Sequence, residues 1–180
     1  MNDFTTNSDD SGNMTIAIIS ELSKYDEADF EKHITKNILT AQDSINKEDS
    51  LIPKLIFITN DKEISIAVPD DNNMVEDFSK YIENNFKGFK AVIYVNECWT
   101  IGAETEEERD WYMQDLDRVA ENPLKDEVLI IYAYGFDKEY IYKIDFKRSD
   151  SGGIVWENLH EETDKDSYMD EIIRTIRNMI

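Results

Sequence analysis

A chain of 180 residues with 41% apolar side chains is long enough to bury one core, and its net charge of −21 sets long-range repulsion against nucleic acid and anionic membranes. No apolar run nears the roughly 20 residues that cross a bilayer, and the acidic first residues lack the basic-then-apolar order of a secretory leader. A single cysteine, Cys98, excludes an internal disulfide, which agrees with a reducing, cytoplasmic setting.

The charge is unevenly placed. Residues 1–13 carry three acids and no base, 60–77 six and one, 103–127 ten and three, and 157–171 seven and one. The apolar segments between these windows are close to neutral. Such a surface attracts basic partners, so the expected partner is a basic protein surface, with no direct nucleic acid and no membrane.

In chain order, 1–13 (MNDFTTNSDDSGN) predicts a flexible acidic arm, and 14–180 a single domain. The stretch 14–25 is ambiguous: Ile18, Leu22 and Tyr25 fit a helical face, while Met14, Ile16 and Ile18 alternate as in a strand. From Asp26 the spacing of Phe30, Ile34, Ile38, Ala41 and Ile45 predicts an amphipathic helix, with Asp26 accepting from first-turn amides. KLIFIT (54–59) and EISIAV (63–68) flank Asn60-Asp61-Lys62 as a hairpin would. Asn73 and Glu76 then cap a helix bearing Met74, Phe78, Tyr81, Ile82 and Phe86, ended by Gly88.

AVIYVNECW (91–99) is nearly continuous in apolar and β-favouring residues, which places it centrally in a sheet. Thr105 and Glu108 form a capping box for a short acidic helix that Pro123 stops. VLIIYAY (128–134) and YIYKIDF (140–146) bracket Gly135–Glu139 as a second hairpin, the latter strand having one wet face with Lys143 and Asp145. A turn at 149–153 leads to a short IVW strand. Ser167 and Asp170 cap a terminal helix with a narrow stripe of Met169, Ile172, Ile173 and Ile176. The fold class that follows is α+β: a mainly antiparallel or mixed sheet of five to six strands with three to four helices on one or both faces.

No catalytic or metal-binding motif is present. The acidic clusters lack the alternating oxygens and bend glycine of a calcium loop, and the two histidines lack zinc-site spacing. No glycine-rich phosphate loop occurs, so no cofactor and no metal are expected. Cys98 has no local base and fits a buried core cysteine. Glu97 is the best single candidate for chemistry, because a carboxylate closing a buried run beside Trp99 can act as general acid or base after desolvation. The commoner outcome is a strand that has simply reached solvent there.

The functional expectation is an acidic, non-enzymatic interaction protein that engages a basic protein surface, with an inhibitor or DNA mimic as its sharpest form. The expected contact residues are Glu104, Glu106, Glu107, Glu108, Asp110 and Trp111. An enzyme built on Glu97, and an oligomeric scaffold (a homo-oligomer) whose terminal helix pairs with itself, are the alternatives.

Overall fold

A segment apolar on both faces needs cover on both sides, and residues 91–95 are such a segment: all five are buried. The computed structural model describes residues 16–21, 25–59, 62–69, 72–100, 105, 107, 111, 125–149, 153–162 and 171–180. Within them the order is β1 (Ile16–Glu21), α1 (Glu27–Glu48), β2 (Lys54–Ile58), β3 (Lys62–Ala67), α2 (Asn72–Asn85), β4 (Ala91–Thr100), β5 (Asp126–Gly135), β6 (Lys138–Arg148), β7 (Ile154–Glu161) and α3 (Glu171–Met179). The strands form one sheet in the order β1-β3-β2-β4-β5-β6-β7, and every neighbouring pair is antiparallel. The fold is therefore α+β with an antiparallel sheet. It has seven strands instead of five to six, and no parallel pair that would make it mixed.

Alternation along the strands divides the core in two. On one face Ile56, Ile93, Val95, Leu129 and Ile131 pack beneath Phe30, Ile34, Ala41 and Ile45 of α1. On the other, Phe57, Val92, Tyr94, Ile130 and Tyr132 pack beneath Phe78 and Ile82 of α2 and the isoleucines of α3. Ile172, Ile173 and Ile176 are all buried there, so the stripe that could have paired two copies of the chain is occupied within one chain. Arg177 adds a polar clasp: its Nε donates to Glu139 Oε1 at 2.8 Å, and the Tyr132 hydroxyl donates to the same oxygen at 2.9 Å.

Local chemistry explains the element ends. Asp26 accepts from the Asp29 amide at 3.0 Å and caps α1. Asn37 lies on the buried stripe of α1 and turns its amide back to the His33 carbonyl at 2.9 Å. The helix stops at Asp49, whose φ of 59° is left-handed and whose N–H donates to the Ile45 carbonyl at 3.0 Å. Helix α2 begins at Asn72, so Asn73 sits inside its first turn instead of before it. The arm 1–13, the Ser167 and Asp170 cap, Met169 and most of the expected 105–119 helix lie outside the described residues.

The ambiguity of 14–25 resolves as a strand, β1, hydrogen-bonded to β3. Two expectations change in the second half. The short IVW strand extends to eight residues, with Glu157 and Asn158 standing opposite Asp145 as a bulge. The five-residue loop 135–139 closes to a two-residue turn, because Gly135 pairs with Lys138. Its central residues Phe136 and Asp137 have φ of 55° and 58°, a turn that matches strand twist but suits Asn-Gly better. Packing of the Phe136 ring on Tyr25 and Phe30, at 5.9 and 6.0 Å between centroids, holds it there.

Gly135 has a separate reason to lack a side chain. A Cβ there would lie 2.7 Å from Ala91 Cβ and 3.2 Å from the Phe30 ring. Gly135→Ala is expected to cost about 1–3 kcal/mol by overpacking. Asp137→Gly, which relieves a left-handed residue on an exposed turn, is expected to add about 0.5 kcal/mol. Urea unfolding of both variants checks this, and the two shifts must have opposite signs.

Candidate functional site

Glu97 lies on the α1 side of β4, just past the point where α1 ends. The strand leaves the core here: Val95 is fully buried, Glu97 partly so, and the Trp99 side chain is 48% exposed. Both carboxylate oxygens of Glu97 are engaged. Oε2 accepts from the Leu51 amide at 2.9 Å, and Oε1 accepts from Arg148 Nη2 at 2.7 Å.

Arg148, at the end of β6, is the hub. Its Nε donates to Asp49 Oδ1 at 2.8 Å, Nη2 also reaches the Asp49 carbonyl at 3.0 Å, and Nη1 pairs with Glu127. Partial burial works against the charge on this guanidinium, but the hydrogen bonds it donates to Glu127, Glu97 and Asp49 outweigh it and hold the group above its ordinary value. The planar five-donor fork of arginine suits such a multidentate role. Three carboxylates from α1's end, β4 and β5 are thereby tied to β6. A proton-transfer role for Glu97 would require it to leave Arg148, and nothing in this arrangement resembles a nucleophile-and-base pair.

The same end of the sheet carries the acidic connection between β4 and β5. Thr100 pairs with Asp126, so the 25 residues from 101 to 125 leave and return side by side. They hold eight acids against Arg109, Arg118 and Lys125. Glu107 is exposed and Trp111 is 50% exposed, while Glu104, Glu106, Glu108 and Asp110 lie outside the described residues. Lys125 places its ammonium 4.3 Å from the centre of the Trp99 ring. Asn96 and Cys98 point to the opposite face, where Cys98 packs against the second core.

A second cluster was not legible in the sequence. His33 Nδ1 lies 3.0 Å from the Asp29 carbonyl, and Nε2 lies 2.9 Å from Glu63 Oε2. Both neighbours are acceptors, so the arrangement is satisfied only when the ring carries two protons. The hydrogen bond to Glu63 accordingly raises His33 above its ordinary value of 6.5, against the opposing pull of burial. His33 in turn holds Glu63, only 4% exposed, below its ordinary value. The Tyr25 ring packs edge-on to His33 at 5.3 Å, and its buried hydroxyl has no hydrogen-bond partner among the described residues. Burial, then Glu63 and Asp29, push that hydroxyl's ionisation up. Burial also pulls down the nearby Lys54 ammonium, while Glu63 opposes this. The clues were weak: His33 borders the apolar stripe of α1, and Glu63 falls on the seemingly polar side of β3 that α1 covers.

Two outcomes follow. Arg148→Met is expected to cost about 2 kcal/mol, because it leaves Asp49, Glu97 and Glu127 crowded without their cation. Glu97→Gln, which keeps the shape and can still accept from Leu51, should cost about half of that in the same urea titration. For the His33–Glu63 pair, the raised histidine contributes stability that is complete below 6.5 and lost as pH climbs through its higher folded value. The lowered Glu63 contributes above 4.5 and is lost as pH falls through its lower folded value. The pair therefore stabilises most between those two ordinary values. Comparing unfolding at about pH 5.5 and pH 8.5, the advantage of the native chain over His33→Gln should shrink at the higher pH.

Among the described residues no group of three or more His, Cys, Asp or Glu is placed to hold a metal ion. None of the described helices is long and apolar enough to cross a membrane. No family model, no curated protein and no solved structure matches this chain.

Proposed function

We propose that this protein is a non-enzymatic interaction module that presents the acidic β4–β5 end of its sheet to a basic protein surface. The observation that carries this reading is the state of Arg148. The guanidinium at that end is already engaged by Asp49, Glu97 and Glu127. By sequence, the 101–125 segment that joins these strands adds eight acids and three bases. Trp111 and Trp99, each about half exposed, add amphipathic rings of the kind that anchor partner contacts. Engagement of both Glu97 oxygens within the fold favours this reading over an enzyme built on that residue.

The test compares two variants of equal charge. One carries E104Q, E106Q, E107Q, E108Q and D110N. The other carries E21Q, E27Q, D77N, E83Q and D137N, all outside residues 97–127. Each is immobilised and exposed to host extract at low salt, with bound proteins identified and their dissociation constants measured. A basic partner should be retained by the native chain and the second variant and bind the first roughly tenfold more weakly. It should also elute at high salt, because such contacts are screened beyond about 10 Å at 0.1 M. Equal loss in both variants would mean that net charge alone acts, and the reading would fall. Displacement of the partner by duplex DNA would select the mimic form.

A further inference from the structure

Among the described residues no strand lies beyond β7, one edge of the sheet. Strand β7 pairs only with β6 among the described residues, and Val155 is 59% and Leu159 50% exposed. The hydrogen bonds that remain identify which backbone groups are unengaged. The Ser149 amide donates to the Gly153 carbonyl at 2.8 Å, and the Glu162 amide donates to the Ile141 carbonyl at 2.8 Å. Antiparallel ladders alternate, so counting from these two pairs, Val155 and His160 bond to β6 on either side of the bulge. The N–H and C=O groups of Ile154, Trp156, Leu159 and Glu161 then point away from the sheet.

Natural edges are blunted by proline, charged side chains, bulges or short length, and β7 carries the bulge at Glu157 and Asn158. Here residues 154–162 hold no proline, lysine or arginine but three acids: Glu157, Glu161 and Glu162. Beside the edge, on the α1 face, the rings of Tyr140 and Tyr142 stack at 5.8 Å with only 10° between planes. Glu31 and Glu161 both act on the Tyr142 hydroxyl, which burial first and these charges second push up. An aromatic pair bordered by carboxylates is a receptor for an ammonium or guanidinium group.

We propose that β7 accepts an extended basic segment of a partner protein as an eighth, antiparallel or parallel, strand. Its backbone would fill the outward groups of Ile154, Trp156, Leu159 and Glu161, and its Lys or Arg side chains would lie against Glu161 and the Tyr140–Tyr142 pair, or compete for Glu157 with Lys147, which holds it at 3.2 Å. Charge decides the occupant. A second copy of β7 would align acids with acids and supply no cation, and like charges opposite one another destabilise a sheet. The chain's own residues 1–13 carry three acids and no base, so they meet the same repulsion. This site is distinct from the 101–125 end and shares with it only the sign of the partner.

The experiment uses the full chain, isotope-labelled, with two synthetic nine-residue probes of equal β-propensity: one alternating Lys or Arg with Val or Thr, the other with Glu in place of the bases. Amide hydrogen exchange should slow at Ile154, Trp156, Leu159 and Glu161 with the basic probe alone, while Val155 and His160 change little. E157K/E161K should weaken binding of that probe by roughly three- to tenfold, with thermal unfolding confirming that the variant remains folded. Absence of protection on β7, or equal protection by the acidic probe, overturns the proposal. Perturbation confined to Glu107 and Trp111 also overturns it, yet leaves the role of the 101–125 end standing.

Discussion

Strands β4 and β5 are apolar on both sides over most of their length, and a sheet with such a centre cannot leave either face in water. Covering both faces takes α1 on one side and α2 with α3 on the other, and each helix contributes the apolar stripe that its segment can supply. The three-layer build follows from that constraint. So does the exclusion of charge from the middle of the molecule, because an unpaired ion there would cost several kcal/mol. Among the described residues the acids accordingly lie mostly on helix exteriors, strand ends and the outer strands.

Where acids do approach the core, each has been given a cation or a donor. Glu97 and Glu127 meet Arg148, Glu63 meets His33, and Glu139 meets Arg177. These pairs share a pattern: each cation bridges elements far apart in sequence, so it closes the fold as well as neutralising charge. Arg148 joins β6 to the end of α1, and Arg177 joins α3 to the β5–β6 hairpin. Trp156 adds a neutral version, its indole N–H donating to Asn46 Oδ1 at 3.1 Å and tying β7 to α1.

Much of this architecture was written locally. The 4-4-3-4 spacing on α1, the β-rich runs of the two hairpins and the unbroken apolar run of β4 all express short-range rules, and those elements formed where their patterns lie. Long-range pairing was hidden. Ile18, Leu22 and Tyr25 fit a helical face while Met14, Ile16 and Ile18 alternate as in a strand, and the pairing with β3 that makes 16–21 a strand is a long-range contact. The second half of β7, Glu157–Glu161, reads as a loop because an edge strand with exposed faces needs no alternation. Glu97 was visible as a polar break in a buried run, but Arg148 lies 51 residues away and nothing in either segment announces the other. His33 and Glu63, 30 residues apart, were hidden in the same way.

The connection between β4 and β5 has an architectural consequence. Adjacent antiparallel strands need only about two residues to join them, yet this pair is joined by 25. The ladder runs unbroken from Ala91↔Gly135 to Thr100↔Asp126. Closing a longer loop costs only about 0.6 kcal/mol for each doubling of length. Length between these two strands therefore costs the fold little. Diversity in what the molecule contacts can accumulate there at almost no expense to folding.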